Sequence, residues 1–319
     1  MHYSLNHRFR ATFVGTLLGK IIAQNTYKQS PIDSEVGKIA ILGTKSLIEL
    51  GKLDVDNWLE RYHQKSPHLD ITDQTSPAAI IATLPVALFF HENTSKLRQN
   101  LLHVLQIWHD DPVVRDGALA VGYAIAQSLT EKLHPPTLIP EIIAFIDETP
   151  TPITQKLLKV HELLHGGFGL ATAQAEFCRA AEPSNVIAMA FYCFLSTRED
   201  FRLAVLRANH KDNFGRQTTR TLHDSQMISA ITGALSGADN STAGIPIKWR
   251  ILLSPENLAT WELASFSQML KLSDALVAVW SGVYDIALHP REFPEEGCVK
   301  SDEQSGLCVF AAPHVIRLR

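Results

Sequence analysis

Apolar residues along this chain recur at three- and four-residue spacing, while alternation with a period of two is nearly absent. Strand side chains point to opposite faces in turn, whereas helix side chains return to one face about every 3.6 residues. The pattern therefore predicts helices and little else. Phe13, Leu17, Leu18, Ile21 and Ile22 mark a helix with one buried face. Ile39 to Leu50 repeats the pattern and stops at Gly51, a residue suited to a left-handed C-terminal cap. Asp56 to Tyr62 reads as a short helix, and Pro77 to Phe90, apolar nearly all round, reads as one central core helix. Further helices are expected over 97–109, 113–129, 138–146 and 153–164, separated by turns at Asp111-Pro112, Pro135-Pro136 and Pro150 to Pro152. Others follow over 171–180, 186–195, 201–208, 225–235, 254–260 and 265–279. About a dozen helices with short connections imply an all-α fold, a single globular multi-helix domain. That domain is expected over residues 1–290. The stretch from Arg291 to Gly306 is rich in Pro, Glu, Asp and Gly, so 291–319 reads as a C-terminal extension packed on or near the surface.

Composition narrows the function classes. A chain of 319 residues buries a sizeable core without disulfides, and 45% apolar with 19% charged residues excludes wholesale disorder. The 29 Lys and Arg do not outnumber the 33 Asp and Glu, and a net charge of −4 argues against a nucleic-acid partner. Cys178, Cys193, Cys298 and Cys308 form no C-x-x-C pair and read as reduced thiols, which points to a cytoplasmic protein. His7, Arg8 and Arg10 before an apolar stretch imitate a secretion signal, but Lys20 interrupts the stretch and no small-residue cleavage site follows. Pro77 to Phe90 is too short to span a bilayer, so no membrane insertion is expected.

His161, Glu162 and His165 spell H-E-x-x-H on an expected helix, a spacing that puts two imidazoles on one face for zinc. The surroundings favour a plain helix end. Extended forms of that motif need Gly and His where this chain has Phe168 and Ala171, and Gly166-Gly167 ends the helix at once. Glu176 and Glu182 are the nearby carboxylates, and neither sits in a recognisable ligand motif. His161 and His165 stay the weaker, zinc alternative. Asp110-Asp111 before Pro112 reads as a helix cap, and Lys211, Arg216 and Arg220 make the stretch from Asn209 to His223 a locally basic loop. No Gly-rich phosphate loop follows a strand, and no G-x-S-x-G elbow is present.

Several segments in consistent order carry a family likeness. Arg8-Phe9-Arg10 followed by Gly15-Thr16-Leu17-Leu18-Gly19 is similar to an opening R-F-R-G-x-L-x-G-x-x-x-G-D helix. Pro77 to Leu88 is similar to a G-x-A-M-R-x-x-P-L segment, and Trp108-His109-Asp110-Asp111-Pro112 to a T-H-x-x-P turn with an Ala-rich helix after it. Asp224 to Ala238, then Ile245-Pro246 and Trp249, is similar to D-x-D-T-x-x-A-I-x-G-A-L-x-G-A followed by I-P-x-x-W. Together these resemble the ADP-ribosylglycohydrolase family over about residues 8–285.

The resemblance implies a fold and also a chemistry. Members of that family cleave the glycosidic bond of ADP-ribose with two magnesium ions, held by a T-D-D-T motif and a D-x-D-T motif. The matching positions here are Ser34-Glu35-Val36-Gly37 and Asp224-Ser225-Gln226-Met227, and the G-D of the opening helix is Gly19-Lys20. Two glycines that usually precede the second motif are Leu222-His223. Two magnesium ions bring four positive charges, against which these positions offer only Glu35 and Asp224, with the Lys20 ammonium beside them. The expectation is a vestigial pocket of Lys20, Ser34, Glu35, Val36, His109, Asp224, Gln226 and Met227, with the family's magnesium ions absent and no catalytic residue assigned. Lys20 is expected to bridge Glu35 and Asp224, and the 209–223 loop to lie over the pocket mouth. The implied function is non-enzymatic: binding, regulatory or structural, with a protein partner or a small anionic ligand. The alternative is a divergent ADP-ribosyl or related glycoside hydrolase, with Glu35 and Asp224 as vestigial acid and base and one metal or none.

Overall fold

A computed structural model describes residues 3–27, 35–66, 76–108, 111–178, 182–210 and 219–283. Among these residues every regular element is helical. The first half comprises α1 (Leu5–Tyr27), α2 (Val36–Leu50), α3 (Val55–Lys65), α4 (Ser76–Ala82), α5 (Leu84–Phe89), α6 (Thr94–Val104) and α7 (Pro112–Leu129). The second comprises α8 (Pro135–Ile146), α9 (Ile153–His165), α10 (Leu170–Phe177), α11 (Pro183–Ser196), α12 (Phe201–Ala208), α13 (Thr219–Asn240), α14 (Pro255–Ala259) and α15 (Phe266–Trp280). Short 3-10 turns cover Leu105–Trp108 and Ile247–Leu252. No described helix is long and apolar enough to cross a membrane.

Residues 77–89 are buried throughout, as the sequence suggested for a core segment, and the pair α1 and α13 is buried with them. From Ala11 to Gln24 every residue of α1 is buried, so this helix has no outer face. Its polar residues disguise that in the sequence. Thr12 Oγ1 donates to the Arg8 carbonyl at 2.9 Å and Thr16 Oγ1 to the Thr12 carbonyl at 2.7 Å, so both hydroxyls are satisfied within the helix. The close approach rests on glycine. A Cβ on Gly15 would stand 2.2 Å from the Gly233 carbonyl oxygen, one on Gly19 2.0 Å from that of Ser229, and one on Gly237 2.1 Å from that of Ala11. As the α1 position advances by four, the α13 position falls by four, the register of an antiparallel pair. Backbones this close gain dispersion and Cα–H···O contacts that any side chain would remove.

Other elements are tied to this pair by buried polar anchors. Arg8 donates to the Ser128 carbonyl at 2.7 Å, to the Ala238 carbonyl at 3.2 Å and to Glu131 at 3.1 Å, joining α1 to α7 and α13. Arg10 meets Asp274 of α15 through both guanidinium donors. His91, 3% exposed, packs edge-on to Phe9 at 5.5 Å and against Trp280 at 4.8 Å, with Nδ1–H donating to the Leu88 carbonyl at 2.7 Å. Burial lowers its pKa to about 4, so it is neutral at pH 7.

Local signals fared unequally. Gly51 caps α2 in the left-handed region (φ 64°), and Asp111 caps α7 by accepting from the Val113 and Val114 amides at 2.8 and 3.0 Å. The expected single helix over 77–90 is instead α4 and α5, broken at Thr83. Pro85 has no N–H with which to continue the ladder, and the Thr83 hydroxyl donates to the Ile80 carbonyl at 2.7 Å to close the first helix. The helix expected over 225–235 runs from Thr219 to Asn240. Residues 219–223 of the expected basic loop are therefore helical, while Lys211 and Arg216 lie outside the described residues.

Candidate functional site

The likeness to a dinuclear pocket pointed to three places in the chain, and the fold brings parts of all three to one small cavity. Its walls are Thr16 and Lys20 of α1, Val36 and Gly37 of α2, Ile81 of α4, Met227 and Ala230 of α13, and Trp261 just after α14. The cavity measures about 10 Å³, space for one water. Lys20, Val36 and Met227 were expected in one pocket and do share this wall.

Glu35 is the residue immediately before α2, 5% exposed. Its Oε1 accepts from Lys38 Nζ at 2.8 Å and its Oε2 from Ser66 Oγ at 3.1 Å. Both oxygens are thus engaged by the chain itself. Asp224 lies about one turn before Met227 on α13 and is half-buried, with Gln226 buried beside it. Asp224 and Lys20 both interact with neighbouring groups. Val36 and Met227 carry no oxygen or nitrogen donor in their side chains, and both are buried. Ser34 and His109 lie outside the described residues.

Lys20 is 4% exposed, so it does not reach out to bulk water from a helix end. Its charge is felt at His223, whose pKa is lowered first by burial and second by the Lys20 ammonium. A lysine buried this deeply with an imidazole in range makes this end of the helix pair richer in donors than a metal-binding carboxylate cluster would be.

Trp261 and Gly37 complete the wall. A Cβ on Gly37 would stand 2.2 Å from both Cδ1 and Nε1 of the Trp261 indole. The ring therefore occupies the space a side chain at this position would need. Trp261 is 2% exposed and its Nε1–H has no hydrogen-bond partner among the described residues, a buried donor at the cavity wall. Sequence reasoning missed Trp261, Lys38 and Ser66. None of them lies in a motif, and only packing brings Trp261 onto α2 from 224 positions further along the chain. His223 was noticed as a departure from glycine and as the end of the basic stretch, not as a partner of Lys20.

The zinc alternative has less to stand on. His161 and His165 lie at the end of α9 with ring centroids 6.4 Å apart, His165 exposed. Among the described residues no group of three or more His, Cys, Asp or Glu is placed to hold a metal ion. Glu162 instead accepts from Lys159 at 2.9 Å on the exposed helix face.

Comparison with known proteins agrees with this architecture. A profile of the ADP-ribosylglycohydrolase family matches residues 40–285. Among solved structures of the same fold is an "ADP-ribosylglycohydrolase-related protein complex", 15% identical, with a TM-score of 0.60 over 86% of this chain and 99% of that one. At that identity the likeness speaks for the fold alone. A comparison with curated proteins finds no match.

Proposed function

The chain belongs to the ADP-ribosylglycohydrolase family, and from that premise we propose that it is a member whose dinuclear magnesium site has been lost and which acts by binding rather than by hydrolysis. The observation that carries this reading is the buried Lys20 ammonium on the cavity wall shared with Val36, Gly37 and Met227. Magnesium demands near-octahedral oxygen ligands and gives up its hydration reluctantly. The residues at the motif positions fit it poorly: two side chains lack donors, Glu35 is committed to Lys38 and Ser66, and a fixed positive charge stands in the wall. A buried ammonium supplies positive charge and hydrogen-bond donors without a metal's power to activate water.

The Lys20 ammonium at the cavity wall, in electrostatic range of His223, suits a small anionic ligand or an acidic side chain of a protein partner. The similar solved protein is described as part of a complex, and a binding role in an assembly is in keeping with the same reading here. Cys193 is a buried free thiol. Burial raises the Cys193 pKa and keeps the thiol protonated.

The test is calorimetric titration of the full chain with magnesium, with ADP-ribose, and with both, beside a release assay on ADP-ribosylated protein. No magnesium-dependent release is expected. Turnover that disappears with chelator, and that falls when Glu35→Gln or Asp224→Asn is introduced, would replace this reading by the hydrolase alternative. Stoichiometric zinc in metal-free buffers would move attention to His161 and His165.

A further inference from the structure

The 3-10 turn Ile247–Leu252 stands out from the rest of the described surface. Its sequence is Ile-Lys-Trp-Arg-Ile-Leu, and none of its residues is buried. Ile247 is 78% exposed and Ile251 84%, the two highest values among the exposed large apolar residues. Lys248 and Arg250 between them are exposed as well. Side chains this accessible project from the described surface. The projection is nonetheless rigidly mounted. Trp249 turns inward against Phe201 at 6.0 Å, Asn257 Nδ2 donates to the Leu252 carbonyl at 2.8 Å, and Ile245 just before the turn is buried. Two isoleucines are thus held in water by a fixed pedestal, with a cation next to each.

We propose that this turn is a peripheral contact for an anionic phospholipid surface, with Ile247 and Ile251 entering the headgroup–acyl boundary and Lys248 and Arg250 meeting lipid phosphates. Three features favour lipid over a protein partner. The projection is convex and only a few residues long, whereas a stable protein interface uses about 20–30 residues a side. A bilayer interface accepts single protruding apolar side chains without shape complementarity. The local charge is positive on a chain whose net charge is −4, so an anionic surface selects this turn over the rest of the molecule. Because the turn is already ordered, little conformational entropy is lost on contact. The contact lies outside the cavity of Lys20 and Trp261 and does not depend on the binding role proposed there.

Burial of each methylene is worth about fourfold in partitioning, and each cation near an anionic surface about fivefold. The full chain should co-sediment with phosphatidylcholine vesicles containing about 30 mol% phosphatidylserine, and bind pure phosphatidylcholine vesicles much more weakly. Ile247→Ala with Ile251→Ala should weaken binding about tenfold or more while leaving the melting temperature unchanged, since both side chains already face water. Lys248→Gln with Arg250→Gln should cost about tenfold or more at low salt and flatten the salt dependence. Absence of binding to the anionic vesicles, equal binding to neutral ones, or binding untouched by the isoleucine pair would overturn the proposal. So would self-association of the wild type that the isoleucine variants abolish, which would make the turn a contact between copies of this chain.

Discussion

The two ends of the α1–α13 pair are built to opposite rules. At one end Ala11 and Gly15 meet Gly233 and Gly237 backbone to backbone, and there is no room for even a methyl group. At the other, beyond the Gly19–Ser229 contact, side chains fill the space: Lys20, Met227, Val36 and the Trp261 indole enclose a cavity the size of one water. The glycine end carries the Gly233-Ala234-Leu235 and Gly237-Ala238 steps on which the family likeness rests, while the cavity end is lined by side chains of four helices and Trp261. Backbone approach leaves one solution, glycine. A polar pocket leaves many, because the helices above it hold their positions whether the side chains bind a cation or one another.

Substitution at the glycine end should have the largest effect. Gly15→Ala would press a Cβ against the Gly233 carbonyl, a contact with no flexible partner to yield, and should cost about 3 kcal/mol or more in denaturant unfolding. A loss below about 1 kcal/mol would mean the pair can slide apart, and the contrast between its ends would dissolve.

Next comes the pH dependence of the scaffold. His91 has a folded pKa of about 4 against 6.5 unfolded, so its contribution is complete above pH 6.5 and is lost as pH falls from there to about 4. The unfolded state binds the proton that the site between Phe9 and Trp280 rejects. The full loss is about 3 kcal/mol at most. His91→Phe should remove this slope from a series of thermal melts, and an unchanged slope would assign it to other groups.

At the cavity end, Gly37→Ala should cost about 1–2 kcal/mol, less than Gly15→Ala, because the opposing atoms are a side chain and the cavity offers some room to shift. Trp261→Phe removes the unpartnered Nε1–H and should be close to neutral, since a buried donor without an acceptor contributes nothing favourable. If Gly37→Ala proves the costlier of the two glycine variants, the site is more tightly specified than the scaffold.

The smallest expected effect is spectroscopic. Lys20→Met removes the ammonium that helps lower the His223 pKa, so His223 should titrate at higher pH in an NMR series while burial still holds it below its ordinary value. A His223 titration unmoved by Lys20→Met would separate the two residues and weaken the case that Lys20 governs the pocket's charge.

Much of the fold was legible along the chain, for local reasons. Phe201 to Ala208 coincides with α12, Asp111 caps α7, and Gly51 ends α2, because caps and apolar spacing act within a few residues. The apolar 77–90 run misled, since hydrophobicity signals burial but not continuity, and Thr83 with Pro85 divides it. α1 misled in the other direction. It was expected to have one buried face, yet Ala11 to Gln24 are all buried, with the Thr12 and Thr16 hydroxyls and the Arg8 guanidinium bonded inside the molecule.

The sequence by itself determined that this chain is helical and that it is of the ADP-ribosylglycohydrolase type. Those properties follow from residue spacing and residue chemistry, which need no knowledge of neighbours. Only the tertiary structure decided that α1 is buried on every side from Ala11 to Gln24, that Glu35 is taken up by Lys38 and Ser66, and that an indole from position 261 lies on Gly37. Such pairings depend on close packing between segments far apart in the chain, where a contact is set by the combined shape of many side chains and no local pattern records it.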